Sequence, residues 1–313
     1  MGSRPAATRT LRIATRGSPL ARWQAHRVAT LLAAVPGAPA IEPLIVRTTG
    51  DERADRPLSE LGGQGVFVKE VQAAVLDGRA DLAVHSAKDL PSQTPAGLVL
   101  AAVPVRGDPR DALVGARLAD LPCGAVVATG SVRRRAQLAW LRPDLTFREL
   151  RGNMATRLAR AEQVGAGVVA LVALERLGLV GRVTDVLSPR LVLPQVGQGA
   201  LAVECRAGDG AVLELLGAID DARSRAELEA ERAFLAALGG GCTLPAGALG
   251  RRSGDGLVLE GMLASRDGRV VVRDQVEGDD PVTVGRALAA RLLTQRGGAA
   301  LGDWAGAGGG GAR

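Results

Sequence analysis

The sequence predicts an α/β protein with two doubly wound lobes and a small C-terminal α+β domain. Three observations support this prediction. The 313 residues suffice for two or three domains. Apolar strand-like runs alternate with helical segments twice, first in residues 10–105 and again in residues 110–198. From residue 223 the order changes to a charged amphipathic helix, two strands and a last helix.

The first lobe is assigned to residues 10–105 together with 200–220. Ser18 and Pro19 supply an N-cap and a proline for the first helical position, so a helix is expected from there to residue 34. Residues 48–64 are polar and rich in glycine, which is typical of a long mobile loop. Strands are predicted at 11–15, 41–47, 81–84, 98–105 and 200–205, and a second helix at 66–77.

The second lobe is assigned to residues 110–198 and the C-terminal domain to residues 223–297. The glycines of Gly197-Gln198-Gly199 have the spacing of a hinge at which the chain returns to the first lobe. Two doubly wound lobes joined in this way are periplasmic-binding-protein-like, and the Gly-rich residues 298–313 predict a flexible tail. Further strands are predicted at 125–128, 146–150, 168–173, 256–263 and 269–276, and further helices at 131–141, from Asn153 or Thr156 onward, at 223–238 and at 281–295.

The composition is strongly biased toward alanine, glycine and arginine. Thirty-seven arginines stand against two lysines, with two histidines, one asparagine and no tyrosine. Where a compositional bias of this kind has nearly removed a residue type, the few remaining copies are expected at positions where no other residue can replace them. Lys88 is one of the two lysines and lies three residues after His85, one of the two histidines. The alternative is a loop ion pair between Lys88 and Asp89 worth about 0–1 kcal/mol, but two depleted types in one pentad favour a functional site.

The charge balance indicates an anionic ligand. A net charge of +6 and a pI near 10.3 favour anionic partners, but the arginines are spread along the chain and few aromatic residues are available to stack on bases. Small carboxylates or phosphates in a cleft are therefore expected rather than nucleic acid.

The same inventory excludes several other classes of protein and site. The first 16 residues lack an apolar signal core, and the longest apolar run, 168–174, is too short to span a bilayer. Three widely spaced cysteines and two distant histidines predict no metal site. A cytoplasmic protein with reduced thiols and no membrane contact is expected.

Three basic segments are predicted to begin helices directly after strands: residues 15–18, 129–135 and 151–157. Helix N-termini favour anions, and in doubly wound sheets these turns meet at the carboxyl ends of the strands. Several guanidinium groups in one crevice would bind a polycarboxylate.

Cys242 lies in the glycine turn Gly239-Gly240-Gly241-Cys242. A helix C-cap followed by an ordinary turn would explain these glycines, yet they also clear space around the thiol for a bulky attached group. Cys205, in an apolar strand, and Cys123, beside a proline, are expected to be structural or incidental.

Seven segments in register resemble the hydroxymethylbilane synthase (porphobilinogen deaminase) family over residues 10–295. They are the segments around Arg16 (LRIATRGSPLA), Asp89 (VHSAKD), Asp108 (DPRDA), Thr129 (TGSVRR), Arg151 (LRGN), Gln198 (VGQGA) and Cys242 (GGC).

The resemblance implies a cytoplasmic, monomeric transferase of tetrapyrrole (haem and porphyrin) biosynthesis. Such an enzyme condenses four porphobilinogens head to tail, releases four ammonias, and hydrolyses off linear hydroxymethylbilane. The resemblance also implies a dipyrromethane cofactor in thioether linkage to Cys242, with Asp89 and Lys88 as catalytic residues. The positions that it assigns to the cofactor and substrate are Arg16, Ser18, Lys88, Thr129, Ser131, Arg133, Arg134, Arg151, Gly152 and Arg157.

The sequence departs from the family pattern in the 48–64 loop, where Glu60 and Gln64 stand without the lysines that some members carry.

Two other functions are compatible with parts of the sequence. A two-lobed solute-binding or ligand-sensing protein would share the lobes and the anion-binding arginines, but would not require Cys242 or the Lys88-Asp89 pair. A basic nucleic-acid binder is supported by the pI alone.

Overall fold

The computed structural model describes residues 9–48, 68–240, 244–254 and 256–302. Within them the strands are β1 (Leu11–Arg16), β2 (Ile41–Val46), β3 (Leu82–Ser86), β4 (Leu98–Ala102), β5 (Asp111–Val114), β6 (Val126–Ala128), β7 (Thr146–Arg148), β8 (Ala166–Ala170), β9 (Val183–Leu187), β10 (Leu201–Arg206), β11 (Ala246–Ser253), β12 (Gly256–Ala264) and β13 (Val271–Gly278). The α-helices are α1 (Pro19–Ala33), α2 (Lys69–Leu76), α3 (Val132–Leu141), α4 (Met154–Val164), α5 (Leu171–Arg176), α6 (Gly210–Gly217), α7 (Ala222–Ala237) and α8 (Pro281–Ala290).

The first lobe is built on a five-stranded sheet of order β2-β1-β3-β10-β4. Strand β1 pairs in parallel with β2 and β3, whereas β10 runs antiparallel to both β3 and β4. Helix α1 begins as predicted, because the Ser18 hydroxyl accepts a hydrogen bond from the Ala21 amide at 3.2 Å. The parallel strands β1 and β3 therefore end at the same edge of the sheet, at Arg16 and Ser86.

The second lobe repeats this plan with the order β7-β6-β8-β5-β9. Strands β6, β7 and β8 are parallel, and β5 runs antiparallel between β8 and β9. Helices α3 and α4 begin at the carboxyl ends of β6 and β7, with Ser131 and Asn153 as their N-caps. The C-terminal domain has the antiparallel sheet β11-β12-β13, on which α7 and α8 pack around the buried Phe234.

The α/β class and the three-part architecture are as predicted, and several strands differ from the prediction. The apolar run 168–173 is a strand only to Ala170, and helix α5 starts at Leu171. Three strands were not predicted: β5, β9 and β11. Two are only four or five residues long and β11 contains glycines and arginines, so their sequences carry a weak strand pattern.

Two chain segments, residues 103–110 and 197–200, connect the lobes and are hydrogen-bonded to each other. The Gly107 amide donates to the Gly199 carbonyl at 3.2 Å. Gly199 has φ +91°, and a side chain there would overlap the Gly107 carbonyl, so only glycine fits this crossing. The buried Glu231 carboxylate of α7 accepts from Arg106 Nη1 at 2.6 Å and from the Gly197 amide at 2.6 Å. The C-terminal domain therefore holds both connections.

Candidate active site

Lys88 and Asp89 lie in a short 3₁₀ turn directly after β3. The turn spans Ala87–Asp89, with Ala87 buried, Lys88 half-buried and Asp89 exposed. Strand β3 is buried along its apolar part, which fixes the position of the turn at the edge of the sheet. The sequence pattern predicted a strand over 81–84, and the structure places it two residues further, ending at Ser86.

A cleft of about 400 Å³ opens beside this turn (the first cleft). It brings Asp89 together with Arg16, which ends β1, and with Ser18, which caps α1. The other lining residues are Leu20, Ala21, Gln24, Val68, Val84, His85 and Ser86. One carboxylate, one guanidinium and several neutral donors thus face one space that also has apolar walls.

Two lining residues, Gln24 and Ser86, were not assigned a role from the sequence. The Gln24 amide donates to the Ser86 hydroxyl at 2.6 Å, and Gln24 is buried. His85, behind them on β3, places Nε2 3.2 Å from Glu204 Oε2 of β10. The helical spacing of Gln24 on the buried face of α1 was the available signal for its place in the cleft.

The Lys88 ammonium lies at the junction of the two lobes. Its Nζ donates to Gln198 Oε1 at 3.3 Å. Burial and the neighbouring Arg134 lower the pKa of Lys88 to about 8, against the opposing charges of Asp89 and Asp111. A lysine in this environment exchanges its proton near neutral pH, which an exposed lysine does not.

Two basic segments of the second lobe, residues 129–135 and 151–157, bring Arg134 and Arg157 near Lys88. Thr129 is buried, its hydroxyl accepts from the Ser131 amide at 3.2 Å, and the Ser131 hydroxyl accepts from the Arg134 amide at 3.4 Å. Burial and Arg134 lower the pKa of Arg157, whereas Asp89 of the first lobe raises it. The predicted basic turns therefore do converge with Lys88 and Asp89.

The side chains of Arg151 and Arg157 make local contacts that hold the turn at Gly152. Gly152 has φ +97°, and a side chain there would crowd Thr156, so glycine is required. Arg157 Nε donates to the Gly152 carbonyl at 2.9 Å, and Arg151 Nε pairs with Glu149 Oε1 at 2.9 Å. Both arginines are half-buried at the start of α4.

Arg133 and Arg134 have a different setting from the one expected for residues that face a ligand. They are 2% and 7% exposed and both pair with Asp111, the first residue of β5. Burial disfavours the ionised Asp111, but the two arginines override it and hold the pKa of this carboxyl well below its ordinary range. Their guanidinium groups also donate to the Leu193 and Val168 carbonyls. Their role as cofactor ligands stays a prediction.

A second, smaller cleft of about 280 Å³ lies between the second lobe and the C-terminal domain. Its lining includes Ser131, Arg133 and Gln195 on one side and Leu235 and Leu244 on the other, together with Val196 and Ala246. Arg133 Nε is buried and has no hydrogen-bond partner among the described residues. A side chain at Gly240 would overlap Leu244.

Several predicted positions lie outside the described residues. They are Cys242, residues 49–64 of the loop with Glu60 and Gln64, and residues 303–313 of the predicted tail, whose first residues instead form a 3₁₀ turn at Gly298–Leu301 with Gly298 buried. Of the other two cysteines, Cys123 is exposed and Cys205 is buried, and burial raises the pKa of the Cys205 thiol to about 11. In the part of the chain that the structure covers, no group of three or more His, Cys, Asp or Glu side chains is placed to hold a metal ion. No helix in the described ranges has the length and hydropathy needed to cross a bilayer.

Comparisons with known proteins match most of the chain. Residues 11–214 match the family model "Porphobilinogen deaminase, dipyromethane cofactor binding domain", and residues 226–294 match its C-terminal domain. The chain is 50% identical over 299 residues to a porphobilinogen deaminase of Roseiflexus sp. (strain RS-1), covering 93% of this chain and 98% of that protein. It is 46% identical to that of Acidothermus cellulolyticus over 299 residues, covering 92% and 90%. Among solved structures, the methionine-binding protein MetQ aligns with 69% of this chain and 92% of its own at 13% identity and a TM-score of 0.40.

Proposed function

This chain belongs to the porphobilinogen deaminase family, and from that premise we propose how its residues carry out the reaction. The enzyme is a hydroxymethylbilane synthase, a transferase of tetrapyrrole biosynthesis with a dipyrromethane cofactor. It joins four porphobilinogens head to tail with loss of ammonia and then hydrolyses off the linear product. The observation that carries the assignment of roles is the meeting of Asp89, Lys88 and the basic turns of both lobes at one junction.

Asp89 is proposed as the principal catalytic group. When porphobilinogen reacts, the bond between its methylene carbon and its amino nitrogen breaks and the electron pair leaves with ammonia. The pyrrole is left with a delocalised positive charge, which a preorganised carboxylate stabilises. Asp89 suits this role because it is exposed at the first cleft and its neighbours there are otherwise cationic or neutral. The charge then disappears as the next pyrrole carbon bonds to the methylene and a ring proton is released.

The cationic side chains are proposed to bind the carboxylates of the substrate and of the growing chain. Each porphobilinogen brings an acetate and a propionate, so the chain becomes a polyanion as it grows. Arg16 and Lys88 would bind carboxylates from the first lobe, and Arg151 and Arg157 from the second. Ser18, Thr129, Ser131 and the Gly152 turn would supply hydrogen bonds. Arg133 would contribute its unpartnered Nε while its other nitrogens stay on Asp111 and Leu193.

The described residues of the second cleft fit the dipyrromethane cofactor. The second cleft is lined by Leu235 and Leu244, and an orphaned guanidinium nitrogen in a hydrophobic wall suits a pyrrole that carries carboxylates. When bound, the cofactor supplies the pyrrole carbon from which the chain grows. We propose that Cys242 holds it through a thioether, since Cys205 is buried with a raised pKa and Cys123 lies beside an exposed turn, outside both clefts.

The intact mass of the purified protein tests this proposal. The wild type should exceed its sequence mass by two pyrrole units and give a positive Ehrlich's aldehyde reaction. Cys242→Ala should lose both signals, while Cys123→Ala and Cys205→Ala should keep them. Retention of the adduct in Cys242→Ala would reject the attachment site.

Porphobilinogen is the substrate that the family implies. We propose in addition that the protein acts as a monomer in the cytoplasm and binds neither nucleic acid nor membrane. Light scattering of the loaded protein at micromolar concentration tests the monomer, since a dimer would double the measured mass.

A further inference from the structure

Gln198, between the two hinge glycines, has its side-chain amide among charged groups of both lobes. The residue is fully buried. Its Oε1 accepts from Lys88 Nζ at 3.3 Å and from Arg134 Nη2 at 3.4 Å. Its Nε2 donates to Asp111 Oδ1 at 2.8 Å and to the Pro109 carbonyl at 2.7 Å. Every polar atom of this amide is therefore in use.

The charges around Gln198 leave the amide only one favourable orientation. The oxygen faces two cations, and the nitrogen faces a carboxylate and a carbonyl. In the flipped amide, the oxygen would face Asp111 and the NH₂ group would face the Lys88 ammonium. Both contacts would then be repulsive, so the surroundings fix the direction of the amide dipole.

We propose that Gln198 is a positioning residue that keeps the Lys88 ammonium beside Asp89 by standing between that ammonium and Asp111. Asp111 already accepts hydrogen bonds from Arg133, Arg134 and Gln198. A neutral amide connects Lys88 to this anchor and prevents the ammonium from pairing directly with Asp111. Lys88 therefore stays available to a ligand in the junction.

The backbone around Gln198 holds the amide in place. The backbone carbonyl of Gln198 accepts from Arg106 Nε at 2.9 Å, and its backbone N–H donates to the Gln195 carbonyl at 2.9 Å. Gln195 Nε2 in turn donates to the Lys88 carbonyl at 3.3 Å, so the hinge contacts both the backbone and the ammonium of Lys88. A side chain at Gly197 would crowd the Lys88 amide nitrogen, which is why the segment can approach so closely.

The proposal makes the protonation of Lys88 depend on Gln198. The charged groups that act on Lys88 are Arg134 and Arg157, which oppose its charge, and Asp89 and Asp111, which favour it. The Gln198 oxygen adds an acceptor for the ammonium. Loss of that acceptor removes a stabilising contact of the charged form only, so the pKa of Lys88 should fall further.

The chain has only two lysines, which makes the experiment direct. Lys69, exposed at the start of α2, serves as an internal reference. The pH dependence of acylation of each lysine by a small amine reagent is measured on the loaded protein by peptide mass spectrometry. Gln198→Leu should lower the Lys88 midpoint by about one pH unit, which raises its labelling at pH 7 about fivefold, while Lys69 is unchanged.

Gln137→Leu is the matched control. Gln137 is equally buried, and its amide bonds to both backbone atoms of Leu193 and to Arg273, away from Lys88. It should lower stability and leave the Lys88 midpoint unchanged. If Gln198→Leu does not fold, Gln198→Met, of similar length and unbranched, carries the same prediction.

An unchanged Lys88 midpoint in both Gln198 variants, or an equal shift in Gln137→Leu, would overturn the proposal. The labelling result is independent of catalysis, whereas any consequence for turnover rests on the proposed function. A shifted midpoint with normal porphobilinogen consumption would support the positioning by Gln198 and reject a catalytic role for Lys88.

Discussion

The two clusters of charge at the lobe junction differ in how their charges are satisfied. In the second lobe, Asp111 is fully buried and accepts from Arg133 and Arg134 at 2.7 Å each. In the first lobe, Lys88 is half-buried and Asp89 is exposed at the cleft. Both clusters lie near strand ends, and both of their sequences, DPRDA with RRR and HSAKD, contain acidic and basic residues.

The difference between the clusters teaches which charges hold the site and which act in it. A buried charge is tolerated only when it is paired and hydrogen-bonded, so the Asp111 cluster has little freedom to change partners. An exposed carboxylate keeps its lone pairs for a ligand. The Asp111 cluster is therefore the support of the junction and the Lys88-Asp89 turn its reactive part, with Gln198 connecting them.

The largest effect is expected from breaking the support. Asp111→Asn removes the charge that compensates Arg133 and Arg134, and loss of one partner from a buried ion pair costs about 3–5 kcal/mol. The control is Asp77→Asn, whose ion pair with Arg79 has both side chains exposed, and which should cost about 0–1 kcal/mol. Denaturant unfolding measures both. Equal costs would mean that the Asp111 cluster is not a support.

The next largest effect is expected at Asp89 in the reactive part, where a substitution should change the reaction rate rather than the stability. Asp89→Asn keeps the size and loses the charge, so turnover should fall about 10²–10³-fold, or about 2.7–4 kcal/mol of barrier. Asp89→Glu keeps the charge in a displaced position and should retain a small residual rate. Single-turnover consumption of porphobilinogen by cofactor-loaded protein is the measurement, with intact mass as the control for loading. Near-normal turnover in Asp89→Asn would contradict the comparison.

Sequence reasoning found the reactive part more readily than its support. The pentad 85–89 stood out because lysine and histidine are nearly absent elsewhere, and α1 was predicted because its capping signal is strong. The support depends on β5, four residues with no alternation, which the sequence pattern did not identify as a strand. The partners of Asp111 are more than 20 residues away in sequence, and no local pattern encodes such pairing.

The same limit applies to the hinge and to α5. Gln198 was noted as part of a glycine spacing and of a family segment, but its side chain was given no role, since the charges that orient its amide come from three separate segments. In the run 168–173 every residue is buried whether it is strand or helix, so hydrophobicity alone could not show that the strand ends at Ala170.

The smallest expected effect is a change in stability at Lys88. It sharpens the comparison because removing the Lys88 charge should stabilise the protein, whereas removing the Asp111 charge should destabilise it. Burial lowers the pKa of Lys88 to about 8, whereas an unfolded lysine titrates near 10.4. The folded protein therefore disfavours the ammonium: the cost is complete below pH 8 and disappears as pH rises from about 8 to about 10.4. Lys88→Met should stabilise the protein by about 1 kcal/mol at pH 7, a value that allows for partial exposure, and the gain should shrink by pH 9.5.

Denaturant midpoints of Lys88→Met and wild type at pH 7 and pH 9.5 measure this gain. Lys69→Met, at an exposed helix start, is the control and should show no such pH-dependent difference. A charge that lowers stability where it stands is the mark of a group retained for a ligand, and Asp111, whose loss is costly, shows the reverse. If Lys88→Met were less stable than wild type at pH 7, Lys88 would belong to the support, and the division between the two clusters would fail.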